Sequence, residues 1–173
     1  MIFDGAATTG FPLILGVGNI LLQDEGVGVA VTRLFREGDA SLPPGTRVVD
    51  GGTLGLDLLP LIGDAGSMVL VDAVDLGREP GAITVLRDDE IHGALAGHLS
   101  PHQVGISDMI AAARLMGELP SRVSLVGIQP GTIAIGLDLT AAVAAAVPAA
   151  AALVLSELLS FGSDGAVRTA ATG

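Results

Sequence analysis

Residues 13–29, LILGVGNILLQDEGVGV, constrain the fold more than any other stretch of the chain. A short apolar run, Leu13-Ile14-Leu15, breaks at Gly16-Val17-Gly18-Asn19 and resumes at Ile20-Leu21-Leu22. It then meets two adjacent acids, Asp24 and Glu25, before Gly26-Val27-Gly28 opens a helical segment. A buried strand, a glycine turn and a helix with acids at its start form the unit that builds ligand sites outside the carboxyl ends of strands in open α/β sheets. The acids set this unit apart. A bare helix start attracts phosphate, whereas carboxylates crowding it repel one. The stretch predicts a site, but a poor one for phosphate.

The rest of the chain alternates strands with helices. Phe11-Pro12 lead into the first strand, and a helix follows over 29–35 with Gly38 as its C-terminal cap. Residues 41–45 are a loop, and 46–50 a second strand that Gly51-Gly52 breaks. Thr53 is expected to cap a helix over 54–62 whose apolar face is Leu54, Leu56, Leu58 and Leu59. Residues 67–71 form a third strand, almost free of polar residues, as befits a strand covered on both faces, and it ends at Asp72-Ala73-Val74-Asp75. Residues 82–86 read as a fourth strand at a sheet edge, and 88–100 as a polar loop containing His92 and His98. Ser100-Pro101-His102-Gln103 combines a cap, a proline at the first helical position and a glutamine three residues after the serine, so a helix runs from there to about Met116. A fifth strand over 123–128, Gln129-Pro130-Gly131 and a last helix over 140–160 complete the pattern. The expected architecture is a single three-layer α/β domain over 1–173, with its core at about 12–160 and flexible ends at 1–11 and 161–173. Its sheet is mostly parallel and twisted, about five strands with helices on both faces.

Composition narrows the chemistry. A net charge of −11 argues against nucleic acid and anionic membranes as partners. Mean hydropathy is +0.66, but the longest apolar run, 141–155, is Ala-rich, contains Pro148 and falls short of the ~20 residues of a membrane span. It reads as a packed helix. The first twelve residues carry no basic residue and no long apolar core, so a cytoplasmic protein is expected. With no cysteine there is no thiol catalysis, thiolate metal site or disulfide, and with every basic residue an arginine there is no lysine for a Schiff base or a P-loop. Carboxylates, three histidines and hydroxyls remain.

Glu25, Asp72 and His102 share one structural description. Glu25 lies at the helix start after strand one, Asp72 at the carboxyl end of strand three, and His102 in the first turn of a helix. Strand ends and the helix starts that follow them occupy the same rim of a parallel sheet, so these side chains can converge. Two carboxylates and an imidazole suit a divalent transition metal, and a helix N-terminus favours the neutral imidazole that binds one. Simpler roles exist for each: Asp24 or Glu25 as a helix cap, Asp72 as a turn former with Asp75 as its competitor, and a histidine that is merely solvated or packed. Gly16-Val17-Gly18 resembles the start of a dinucleotide fingerprint, but Ile20-Leu21 stand where the third glycine should fall. G-x-S-x-G and H-E-x-x-H are absent.

GVGNILLQDEGVGV (16–29), DGGTLG (50–55), VDAVD (71–75) and SPHQVG (100–105), in that order and spacing, resemble the endopeptidases that mature the large subunit of nickel–iron hydrogenases. LVGIQP (125–130) and GLDLT (136–140) add to the likeness, which spans about 12–160. The resemblance implies that Glu25, Asp72 and His102 bind metal, and that the metal is nickel already inserted in the substrate precursor, with no organic cofactor. It also implies removal of a short C-terminal peptide from that precursor. A carboxylate is expected as base, with Glu25 and Asp72 as catalytic candidates, and a monomer is expected. Asp50, beside Gly51-Gly52-Thr53, joins the catalytic candidates as a residue that supports the ligands or positions substrate. Two other classes are a non-catalytic metal-sensing assembly factor for the same partner and a nucleotide-binding module built on Gly16 and Gly18.

Overall fold

The computed structural model describes residues 10–38, 41–96 and 101–169, excluding the side chains of 92, 94–96, 101–105 and 163–169. The strands are β1 (Phe11–Val17), β2 (Arg47–Gly52), β3 (Ala65–Ala73), β4 (Ile83–Arg87) and β5 (Val123–Ile128). The helices are α1 (Val27–Glu37), α2 (Leu59–Gly63), α3 (Asp89–Ala96), α4 (Pro101–Met116) and α5 (Ala141–Thr169). Tight 3-10 turns at Gln23–Gly26 and Gly55–Leu58 precede α1 and α2. The strand order is β2-β1-β3-β5-β4, parallel throughout except for β4, which runs antiparallel to β5 at the edge. This is the expected mostly parallel α/β sheet.

Period-two alternation along the strands makes the three layers. Leu13, Leu15, Met68, Leu70 and Leu125 face one way and pack with Ile62 of α2 and Ile106, Met109 and Ala113 of α4. Ile14, Val69, Val71, Val126 and Ile128 face the other way, against Val27, Val31 and Phe35 of α1 and a stripe on α5. That stripe is Val143, Val147, Ala150, Val154 and Leu158, the helical repeat of a core-facing side. By length and composition α5 could cross a membrane, yet its apolar stripe is buried by the sheet.

Two glycines set how closely α1 sits on the strands. A Cβ on Gly28 would collide with the carbonyls of Val17 and Val71, and one on Gly16 with the Gly28 carbonyl and the Thr32 side chain. The N-terminus of α1 therefore rests on the carboxyl ends of β1 and β3.

Several local expectations are corrected. Gly51-Gly52 extends β2 instead of breaking it, because a side chain at Gly51 would press on Leu15 and Leu58. The helix expected over 54–62 is a 3-10 turn followed by the short α2, with no side-chain cap; Leu58 and Ile62 are buried while Leu54 and Leu56 are exposed. Residues 89–96 of the expected polar loop form α3, with Asp89 and Glu90 favouring its N-terminus. The Ser100 cap and His98 lie outside the described residues. Helix α5 runs to Thr169, past the expected end near 160, since a helical Gly162 costs only about 1 kcal/mol relative to alanine and does not by itself stop a helix.

Candidate active site

In the order β2-β1-β3 the chain reverses its direction of growth between β1 and β3, which places a crevice at their carboxyl ends. Both predicted acids are there. The turn Gln23–Gly26 packs against β3, so Glu25 lies over the strand whose penultimate residue is Asp72. Glu25 is 5% exposed and Asp72 is 0% exposed. The backbone of His102 stands in the first turn of α4. One turn later Ile106, with Met109, lines a small cavity shared with Val17, Gly52 and Thr53, which brings the start of α4 to the same rim. The imidazole of His102 lies outside the described residues. Asp50 is exposed, opposite Gly16 in the β1–β2 register, and its Oδ1 accepts a hydrogen bond from the Gly52 N–H at 3.0 Å. Asp75, the competitor of Asp72, is an exposed turn former whose Oδ1 accepts from the Gly77 N–H and from Gln129 Nε2.

Asp24 has a different task from its neighbour. Its fully buried carboxylate accepts from the Gly131 and Thr132 N–H groups at 2.8 and 2.9 Å, and from the Thr140 N–H and Oγ1 at 2.6 and 2.8 Å. Burial alone would push this carboxyl up; the hydrogen bonds from Thr132, Thr140 and Gly131 outweigh it and hold the group below its ordinary value. Backbone bonds run alongside: Gln23 N–H to the Gly136 carbonyl, Gly136 N–H to Leu21, and Asp24 N–H to Thr132. Gln23 takes a left-handed φ of 50° within this seam, a conformation that a non-glycine residue keeps only where its surroundings enforce it. From the sequence, a helix cap is one open role for Asp24 or Glu25, and nothing there ties Asp24 to the loop before the last helix. Partners more than a hundred residues away leave no local spacing signal.

Gln129 organises the other side of the rim. Its Oε1 accepts from the Leu76 and Arg78 N–H groups, and its own backbone bonds to Gly81 and Ala82. The glycine turn is closed to phosphate by the chain itself. Gly18, at φ 133°, donates its N–H to the Gly52 carbonyl, and the space of a Cβ there is filled by the Glu25 carbonyl. The nucleotide-binding alternative therefore lacks its cradle.

The hydrogenase maturation protease family model HycI matches residues 32–157. The chain belongs to the hydrogenase maturation protease family. It is 43% identical to the hydrogenase expression/formation protein HupD of Rhodobacter capsulatus, over 88% of this chain and 73% of HupD. It is 36% identical to the hydrogenase 2 maturation protease of Escherichia coli K12, over 91% of this chain and 96% of that protein. Its fold superimposes on the E. coli hydrogenase maturating endopeptidase HybD with a TM-score of 0.81, at 35% identity over 88% of this chain and 94% of HybD. This maturation protease is thus a peptidase whose crevice carries two buried carboxylates. Its relatives' protease names set aside the assembly-factor alternative.

Proposed function

We propose that this protease removes the C-terminal extension of the nickel–iron hydrogenase large-subunit precursor after nickel insertion, and that Glu25, Asp72 and His102 recognise the nickel held by that substrate. The observation that carries the reading is the burial of Glu25 and Asp72 on adjoining elements at the β1–β3 switch point. Carboxylates buried on adjoining elements are costly to keep charged in a water-poor site, and a divalent cation brought to them would supply the compensating charge. A single imidazole added to the pair gives an oxygen/nitrogen set suited to nickel and leaves coordination positions for the substrate's own ligands. The nickel is part of the substrate and supplies Lewis acidity at the scissile bond. The protease's part is general base catalysis: a carboxylate takes a proton from water as the oxygen adds to the scissile carbonyl carbon. The C–N bond then breaks and the leaving amine takes the proton. Neither cysteine nor lysine is present, so no covalent intermediate on either is needed. Asp50, exposed at the end of β2 and steadied by Gly52, is assigned to positioning the substrate backbone.

Intact mass of nickel-loaded and nickel-free precursor, followed over time with wild type, His102→Ala and Asp50→Ala, tests this. The expected result is loss of one C-terminal peptide only with nickel and wild type, slowed by Asp50→Ala and absent with His102→Ala. Cleavage of nickel-free precursor at the same rate would falsify the nickel-reading step, and a normal rate with Asp50→Ala removes Asp50 from the site.

A further inference from the structure

Asp24 brings four hydrogen bonds to bear on a loop that buries almost nothing. Between the residues it grips, Ile133 is 50% exposed, Ile135 93% and Leu137 74%; Ile20 and Leu21, on the strand-to-helix turn, are about half exposed as well. A clamp whose purpose was to close the core would draw such side chains inward. This one holds them in water, in a fixed place, beside the crevice. The segment 132–137, Thr-Ile-Ala-Ile-Gly-Leu, carries no charge in a chain of net charge −11. Clustered exposed aliphatics of this kind mark protein contact sites.

The seam also reaches the chemistry. Asp24 immediately precedes Glu25, and the bonds from Gly136 and Thr132 fall on Leu21, Gln23 and Asp24, holding Gln23 in its left-handed conformation. The loop and the acid turn are therefore tied together along their length. A side chain at Gly136 would press on Gln23, so the seam is also sterically matched.

We propose that loop 131–140 is an apolar docking lip for the protein substrate, with Ile133, Ile135 and Leu137 as specificity-determining residues, and that Asp24 is the positioning residue that fixes the lip relative to Glu25. The occupant is the precursor itself, because the lip is bonded to the turn that carries Glu25 and so borders the crevice its substrate has to enter; the inference rests on the function proposed above. The lip supplies binding that is the same in ground and transition states, whereas Asp24 also governs where Glu25 stands.

Steady-state processing of nickel-loaded precursor separates these roles. Ile135→Ser, at a side chain almost wholly in solvent, is expected to raise KM about tenfold with kcat unchanged, the signature of lost uniform binding. Asp24→Asn is expected to raise KM and also lower kcat, by up to about 100-fold, because it misplaces Glu25. In the double variant the two KM effects should fall short of additive, since both act through the lip, an outcome that a purely structural Asp24 does not give. Wild-type KM in both Ile135→Ser and Ile133→Ser, with Glu25→Gln inactive, overturns the lip and leaves the proposed function standing. Full activity in Glu25→Gln overturns the site itself and this inference with it.

Discussion

Asp24 and Glu157 are both buried acids held by distant partners, and they do opposite things. Glu157, on α5, accepts from Arg87 Nε of β4 at 2.9 Å and from Ser124 Oγ of β5 at 2.7 Å, tying the last helix to the sheet edge. Its bonds draw structure together over the core. Asp24 instead binds neutral donors of a surface loop and leaves that loop's large side chains in solvent. One acid ties core elements together, the other holds a surface loop in place. The same type of residue is recruited for either purpose, and what decides is whether the segment it grips is buried or presented.

Glu157→Ala gives the larger test of this contrast. It leaves Ser124 and one side of Arg87 without their carboxylate. The expected loss is about 2 kcal/mol of unfolding free energy in a urea melt, discounted because Arg87 is more than half exposed. Precursor processing well below the transition should stay at the wild-type rate. A processing defect with unchanged stability would show that Glu157 belongs with Asp24 after all.

A smaller effect comes from pH. The hydrogen bond from Arg87 first, and that from Ser124, hold the Glu157 carboxyl below its ordinary 4.5 in spite of burial. A lowered folded-state value means the contribution is fully present above the unfolded value and is lost as pH falls through the folded one. The stability advantage of wild type over Glu157→Gln should therefore be constant above about pH 5.5 and shrink progressively below 4.5. An advantage that persists unchanged to pH 3 would mean the carboxylate's ionisation is not what stabilises it.

How much of this was legible depended on whether the cause was local. The apolar run Leu13-Ile14-Leu15, the apolar run before Asp72 and the Pro101 helix start are local patterns, and each produces its element where expected. Gly51 was misread because its glycine answers to Leu15 and Leu58 across the fold, not to a turn. Helix α3 was missed because Asp89, Glu90 and Gly93 hide its periodicity, although Ile91 is buried. At the site, strand ends and helix starts point to Glu25 and Asp72 with Asp24 and Asp75 as competitors, and the structure buries both Glu25 and Asp72 on that rim. The clamp could not be read this way, since Asp24 meets Gly131 and Thr140 only after the sheet has formed.

Under the proposed function Glu25, and not its neighbour in sequence, carries the chemistry. The most direct test is single-turnover processing of nickel-loaded precursor by Glu25→Gln, with thermal unfolding of the same preparation as control. The expected result is a folded protein with a midpoint within about 5 °C of wild type and a precursor mass unchanged over at least about 100 wild-type half-times. Cleavage by that folded variant at the wild-type rate would contradict it.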